Sequence, residues 1–444
     1  QTWPQILAQG ADFYMQPCWH PKGRLLAWIE WDHPQMPWDG TRLVLAMVAY
    51  SRDGTPYIRS QRTVAGSHDE AISQPCFSPD GRSLVYASDR TGWSQLWCRD
   101  LAEDTERCLT EEHYDIAMPA WVQGLRAFGF ATDSMIYFVR SEQGRRRAYT
   151  LPLEGGTPQP IESLTEYDHV EQISPAPRGH HLACIASSPA VPARIVSCRA
   201  KRARVHARSG SESLSPQQLS QPQAVSWSGA DGVKVYGLYY PPASDQFVGT
   251  GKPPLVINVH GGPTSSIEMG FEARAQYFAT RGWAFLDLNH RGSTGHGRAY
   301  MQALRGSWGV VDVDDALSAA QYLCDAHLAD PERLVLCGGS AGGYTVLRTL
   351  TTYPGSFRAG LCLYGISNLF SLATDTHKFE AHYLDSLLGT LPEAAAVYRE
   401  RSPLFSADNI CDPIALFQGS EDRVVPPTQA EEIVANLRRR GVPH

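Results

Sequence analysis

The chain has 444 residues, 43% hydrophobic and 19% charged, enough for two or three ordinary domains each with its own core. A formal net charge of −7 gives no electrostatic reason to bind a polyanion, so nucleic acid is not an expected partner. No window approaches the roughly 18 to 20 apolar residues of a spanning helix, and the ten cysteines form no C-x-x-C pair and no Cys/His cluster at zinc spacing, so neither a membrane nor a metal or other cofactor is expected.

Over the first 200 or so residues one phrase recurs: an apolar run, a Pro-Asp/Lys-Gly turn, then alternating residues. The clearest copy runs from Pro75 to Leu101, with turns at Ser78-Pro79-Asp80-Gly81 and Asp89-Arg90-Thr91-Gly92 and strands at Ser83–Ala87 and Gln95–Cys98. Looser copies begin at Pro17, Pro119 and Ile173. Antiparallel repeats of about 40 to 60 residues predict propeller blades, of which about four are visible. A ring generally needs more, so further blades are expected before Gln1; an open sandwich with coincidental turns is the competing reading. Residues 209–223, rich in Ser, Gln and Pro, predict a linker or a last blade edge.

Beyond that linker the pattern changes. Short apolar strands are expected at Val233–Tyr240, Pro254–His260, Ala284–Leu288, Leu334–Cys337, Gly360–Tyr364 and Ile414–Phe417, with helical stretches such as Val313–Leu323 between most of the later ones. This predicts a mostly parallel, doubly wound sheet. The expected organisation is a partial β-propeller with linker over 1–222 and an α/β-hydrolase domain over 223–444.

The strand at Leu334 runs into Gly338-Gly339-Ser340-Ala341-Gly342, a G-x-S-x-G turn that enters a helix at once. In an α/β-hydrolase such a turn exposes a serine above the sheet, which makes Ser340 the candidate nucleophile. A phosphate site is the rival reading of a glycine-rich strand-to-helix turn, but no G-K-[ST] or G-x-G-x-x-G spacing supports it. The backbone N–H of Ala341 is the first candidate oxyanion donor, and Gly262 of His260-Gly261-Gly262-Pro263, after an earlier strand, is the second. The triad order Ser, Asp or Glu, His places the acid in Gln418–Pro427, where both Glu421 and Asp422 are available.

Taken together, His260–Pro263, "NHRGSTGHG" from Asn289, "WGVVDVDD" from Trp308, "GGSAGGY", "DTHKFE" from Asp375 and "QGSEDRVVP" resemble the prolyl oligopeptidase family of serine peptidases, nearest to its acylaminoacyl-peptidase and dipeptidyl-peptidase-like bacterial members. The resemblance implies Asp422 as the acid, since Arg423-Val424-Val425-Pro426 follows it. It also implies short peptides as substrates, with a propeller restricting entry to the site. Tyr364 and Phe379, with Phe370 and Tyr383 nearby, are candidates for the substrate side-chain pocket, against an ordinary core role. Asp312, Asp314 and Asp315 are read as carboxylates favoured at a helix start rather than as metal ligands.

One part of the pattern breaks. In this family the histidine lies some 30 to 40 residues beyond the aspartate, and here 22 residues follow Asp422. His444 is the one histidine among them and is expected at the start of a strand, roughly 16 Å from the catalytic edge. The triad histidine is therefore expected outside this chain. A cytoplasmic location is expected, although a chain that begins at Gln1 does not show its natural start; a homo-oligomer is allowed for. Two rival functions stand beside the peptidase: an esterase on the same fold, and a non-catalytic propeller interaction protein with a relic hydrolase domain.

Overall fold

The computed structural model describes residues 3–111, 113–177, 180–199, 201–212 and 214–444. It divides into two compact units: Gln1–Ala186 with Ala193–Ser209 and Gly295–Arg298, and Ser187–Pro192 with Gly210–Thr294 and Ala299–His444. Among the described residues, no helix is long and apolar enough to cross a membrane.

The first unit is built of β-meanders. Strands Phe13–Trp19, Leu25–Trp31, Arg42–Tyr50 and Pro56–Ala65 pair antiparallel in chain order, and so do Ile72–Phe77, Ser83–Ser88, Gln95–Asp100 and Glu106–Cys108. Two further groups of four, starting at Phe128 and at His169, share one sheet through a parallel bridge from Arg146 to His169. The turns are those the composition predicts. Gly81 N donates to Ser78 O at 2.9 Å with Gly81 at φ 76°, and Asp80 Oδ1 accepts from Ser78 Oγ at 2.6 Å. One expectation differs: Ser83–Ser88 is buried at all six positions instead of alternating. A strand covered on both faces has no solvent side to mark with polar residues.

The second unit holds a seven-stranded mixed sheet. Its strands are β1 (Gln223–Ser228), β2 (Lys234–Tyr240), β3 (Leu255–Val259), β4 (Ala284–Asn289), β5 (Leu334–Gly339), β6 (Ala359–Leu363) and β7 (Ile414–Phe417), in the order β1-β2-β4-β3-β5-β6-β7. Strands β1 and β2 pair antiparallel, β2 joins β4 antiparallel, and the rest run parallel. Both β3 and β4 are buried throughout, as strands covered on two faces must be.

Helix α1 (Ala273–Ala279) packs Ala275 and Ala279 against Val256, Phe285 and Cys337. Helices α2 (Val311–Asp325), α3 (Ala341–Thr352) and α4 (Thr428–Arg440) bury Ala316, Leu323, Val346, Leu350, Ile433 and Leu437 in a separate cluster with Ile257, Leu286 and Leu336. Neighbouring strand residues thus feed different clusters, which is the period of two of a pleated sheet. After α4, Gly441 takes φ 71° and closes the helix, and Ile414 N then donates to Pro443 O at 3.1 Å, so the chain returns to the start of β7.

Helix α3 could not lie where it does with any side chain at Gly342. A Cβ there would stand 2.1 Å from Val259 O and 2.8 Å from His260 O, both of them backbone atoms that cannot swing aside. Gly342→Ala is expected to cost about 3 kcal/mol or more. Urea unfolding of the variant beside the parent protein checks this; a loss under about 1 kcal/mol would contradict the packing.

Candidate active site

Ser340 joins β5 to α3 with φ 55° and ψ −122°, a backbone state that residues with a side chain rarely hold. Its N–H donates to Leu363 O at 3.0 Å and its carbonyl accepts from Tyr344 N at 2.9 Å, so β6 and α3 fix the residue from both sides. The flanking residues admit the turn because they lack Cβ atoms: one on Gly338 would meet Gly342 O at 2.4 Å, and one on Gly343 would meet Gly365 Cα at 2.7 Å. The side chain of Ser340 is half-buried beside a cavity of about 50 Å³ that Gly262 and Ala341 also border.

The loop after β3 passes close over the serine, with Gly261 so near that a Cβ on it would lie 3.4 Å from Ser340 Cβ. His260, at the base of this loop, serves a structural purpose. Its Nδ1 donates to Gly261 O at 2.9 Å, leaving Nε2 to accept from Ser293 Oγ at 2.7 Å. The ring stacks on His290 with centroids 4.6 Å apart, and His290 Nδ1 donates in turn to Arg291 O at 2.7 Å. Burial pulls His260 down to about 3 and His290 to about 4, so both are neutral. The loop is held further by Tyr383, whose hydroxyl lies 2.6 Å from Thr264 Oγ1 and accepts from Thr264 N at 3.2 Å.

Asp422 lies in the loop after β7, at the carboxyl end of that strand. Its Oδ1 accepts from Val424 N at 2.9 Å and Val425 N at 3.0 Å, and both valines line the cavity beside Ser340. Glu421 is exposed. His444 sits at the other edge of the sheet: Pro443 bonds Ile414, the first residue of β7, whereas Ser340 follows the last residue of β5.

The cavity walls share only Tyr383 with the aromatic set read from the sequence. Trp308, Ile366, Leu372, Tyr383, Leu384, Leu387, Val424 and Val425 supply apolar surface, with Thr376 and Glu380 as polar members. Neither Tyr364 nor Phe379 is among them. Tyr364 lies against the nucleophile strand, its ring 3.0 Å from where a Cβ on Gly339 would stand, and its backbone N–H donates to Phe417 O at 2.7 Å. Phe379 faces His377 with ring centroids 6.4 Å apart. Leu384 and Leu387 carry no motif that marks them, and only their placement by the fold brings them to Ser340, whereas Trp308 opens the motif "WGVVDVDD".

Two aspartates do more than meet a helix dipole. Asp312, fully buried, accepts from Gly309 N at 2.7 Å and Thr345 Oγ1 at 2.6 Å, tying the start of α2 to α3; burial raises its pKa. Asp315, also fully buried, accepts from Arg291 N and Nη2, each at 2.7 Å, and so anchors the segment that holds His290 and Ser293.

The sequence profile of the prolyl oligopeptidase family matches residues 269–444. The chain is 34% identical over 195 residues to dipeptidyl aminopeptidase BIII of Pseudoxanthomonas mexicana, covering 43% of this chain and 28% of that protein. It is 28% identical over 361 residues to the uncharacterized peptidase YuxL of Bacillus subtilis strain 168, covering 78% of this chain and 53% of that one. Among solved structures it resembles a puromycin-hydrolyzing peptidase of Mycobacterium tuberculosis, with TM-score 0.92, 36% identity, and coverage of 98% of this chain and 65% of that chain. The chain thus spans less than two thirds of the length of each of these proteins.

The stacked histidines set an acid limit on the fold. Below the ordinary histidine pKa of about 6.5 the unfolded chain takes up protons that the folded chain refuses until pH nears 4. Stability is therefore full above about pH 6.5 and should fall on acidification by up to about 1.4 kcal/mol per pH unit for each buried imidazole. Urea unfolding at pH 7, 6 and 5 measures the slope, and His290→Phe should flatten it; a variant as acid-sensitive as the parent would assign the slope to other groups.

Proposed function

Since the chain belongs to the prolyl oligopeptidase family of serine peptidases, we propose that it hydrolyses short peptides through an acyl-enzyme formed on Ser340. The observation that carries this reading is the strained turn at Ser340, set beside a cavity that Gly262, Ala341 and the loop of Asp422 all border. In the proposed reaction Ser340 Oγ attacks the scissile carbonyl, and the backbone N–H groups of Ala341 and Gly262 receive the developing oxyanion. Asp422, already held by two backbone amides, orients the histidine that takes the serine proton. With His444 at the opposite edge of the sheet, that histidine is proposed to come from outside these 444 residues.

The largely apolar cavity supports an apolar side chain on the residue that donates the scissile carbonyl. The four β-meanders support a propeller that limits substrates to short peptides. The puromycin-hydrolysing relative makes puromycin itself a substrate to try, next to free-amine and N-acetylated chromogenic dipeptides.

In the whole enzyme, Ser340→Ala should abolish labelling by a fluorophosphonate and lower peptide turnover at least 10³-fold, and Asp422→Asn should lower it by about 10⁴-fold. A labelled Ser340→Ala enzyme would remove Ser340 as nucleophile, and unchanged turnover in Asp422→Asn would remove that aspartate. Short chromogenic peptides should be cleaved while intact casein persists in the same assay. Rapid casein digestion would count against a size limit.

A further inference from the structure

The phrase Gln-Pro-Cys occurs twice, as Gln16-Pro17-Cys18 and Gln74-Pro75-Cys76, in the first strands of the first two meanders. Both copies break the ladder in the same way. Register slips between Met15 and Cys18 in one and between Ser73 and Cys76 in the other, with Gln16 at φ 52° and Gln74 at φ 51°. Such a bulge turns a side chain out of the regular pleat. Here it turns each glutamine toward the next sheet: Gln16 Oε1 accepts from Gln74 N at 2.6 Å, while Gln74 accepts from Ala127 N and donates to Phe128 O, each at 2.6 Å.

Cys18 and Cys76 each lie two residues beyond one of these joined bulges. The thiols of Cys18 and Cys76 act on each other electrostatically, and both line one cavity of about 600 Å³ within the first unit. Each is partly exposed and neither is in a disulfide.

We propose that Cys18 and Cys76 form a reversible redox pair that closes to a disulfide by exchange with a small disulfide of the glutathione type. The two thiols have unequal parts. The interaction with Cys76 brings Cys18 down to about 7, while the same interaction and burial raise Cys76 well above the ordinary thiol value. Cys18, as thiolate, attacks one sulfur of the small disulfide, forming a mixed disulfide and expelling one small thiolate. Cys76 then gives up its proton and attacks the Cys18 sulfur, expelling the second. The protein loses two protons and two electrons, the small disulfide becomes two thiols, and the first strands of two separate sheets are joined covalently.

The test is to incubate the full chain in glutathione buffers of increasing oxidised fraction and map its cysteines by mass spectrometry. The parent protein should lose two hydrogens, with a single cross-linked peptide pair holding Cys18 and Cys76, and reductant should reverse the change. Cys76→Ser should instead stop at a stable glutathione adduct on Cys18, whereas Cys18→Ser should leave Cys76 unmodified under the same conditions. The proposal is overturned if Cys18 and Cys76 stay reduced in buffers that modify the exposed Cys411, or if Cys76→Ser gives no adduct on Cys18. Mapping of the unsubstituted protein decides the first point even where a variant folds poorly.

Discussion

The second unit depends on a backbone contact: the first turn of α3 lies directly against the end of β3, with no side chain at Gly342 to hold Val259 O away. From that contact follow the sharp reversal at Gly338 to Gly342 and the positive φ of Ser340. The strain at one residue is sustained because the two strands and the helix around it are almost fully buried and cannot relax separately. A serine held this way has its backbone fixed by the neighbouring strand and helix.

Around the turn, buried polar groups are satisfied in pairs. Asp312 takes Thr345 and Gly309, Asp315 takes Arg291, His260 takes Ser293, and Tyr383 takes Thr264. Each pair links a loop at the carboxyl edge of the sheet to a neighbouring element, so the loops are set by directed bonds as well as by apolar packing. The arrangement is costly to break, since losing one partner leaves the other dry and unpaired. Both ring nitrogens of His260 are likewise engaged, by Gly261 O and Ser293 Oγ.

Features governed by local chemistry were readable from the amino acids alone. The Ser340 turn, the Asp422 loop, the parallel strands and the Pro-Asp-Gly meanders all rest on residues adjacent in the chain, where glycine, proline and turn carboxylates leave clear marks. What escaped depends on distance in sequence. Part of the cavity wall, Ile366, Leu384 and Leu387, is drawn from apolar residues like any in the core, whereas Tyr364 and Phe379 attracted notice as aromatic residues after the strand that follows the Ser340 helix. Asp312 and Asp315 look like surface helix starts until Arg291 and Thr345 cover them. The bulges at Gln16 and Gln74 left a repeated tripeptide in plain sight, but its meaning required knowing that the two strands are neighbours.

Those glutamines join separate sheets through three hydrogen bonds between amide side chains and backbone, with no shared ladder between the first two. A ladder fixes register residue by residue, so a strand cannot be exchanged without refitting its neighbour. A seam fastened at one bulge asks much less of the next sheet: one free amide or carbonyl at the right height. Gene duplication can therefore add or remove a whole meander while the sequences on either side go on changing, provided each copy keeps its bulge.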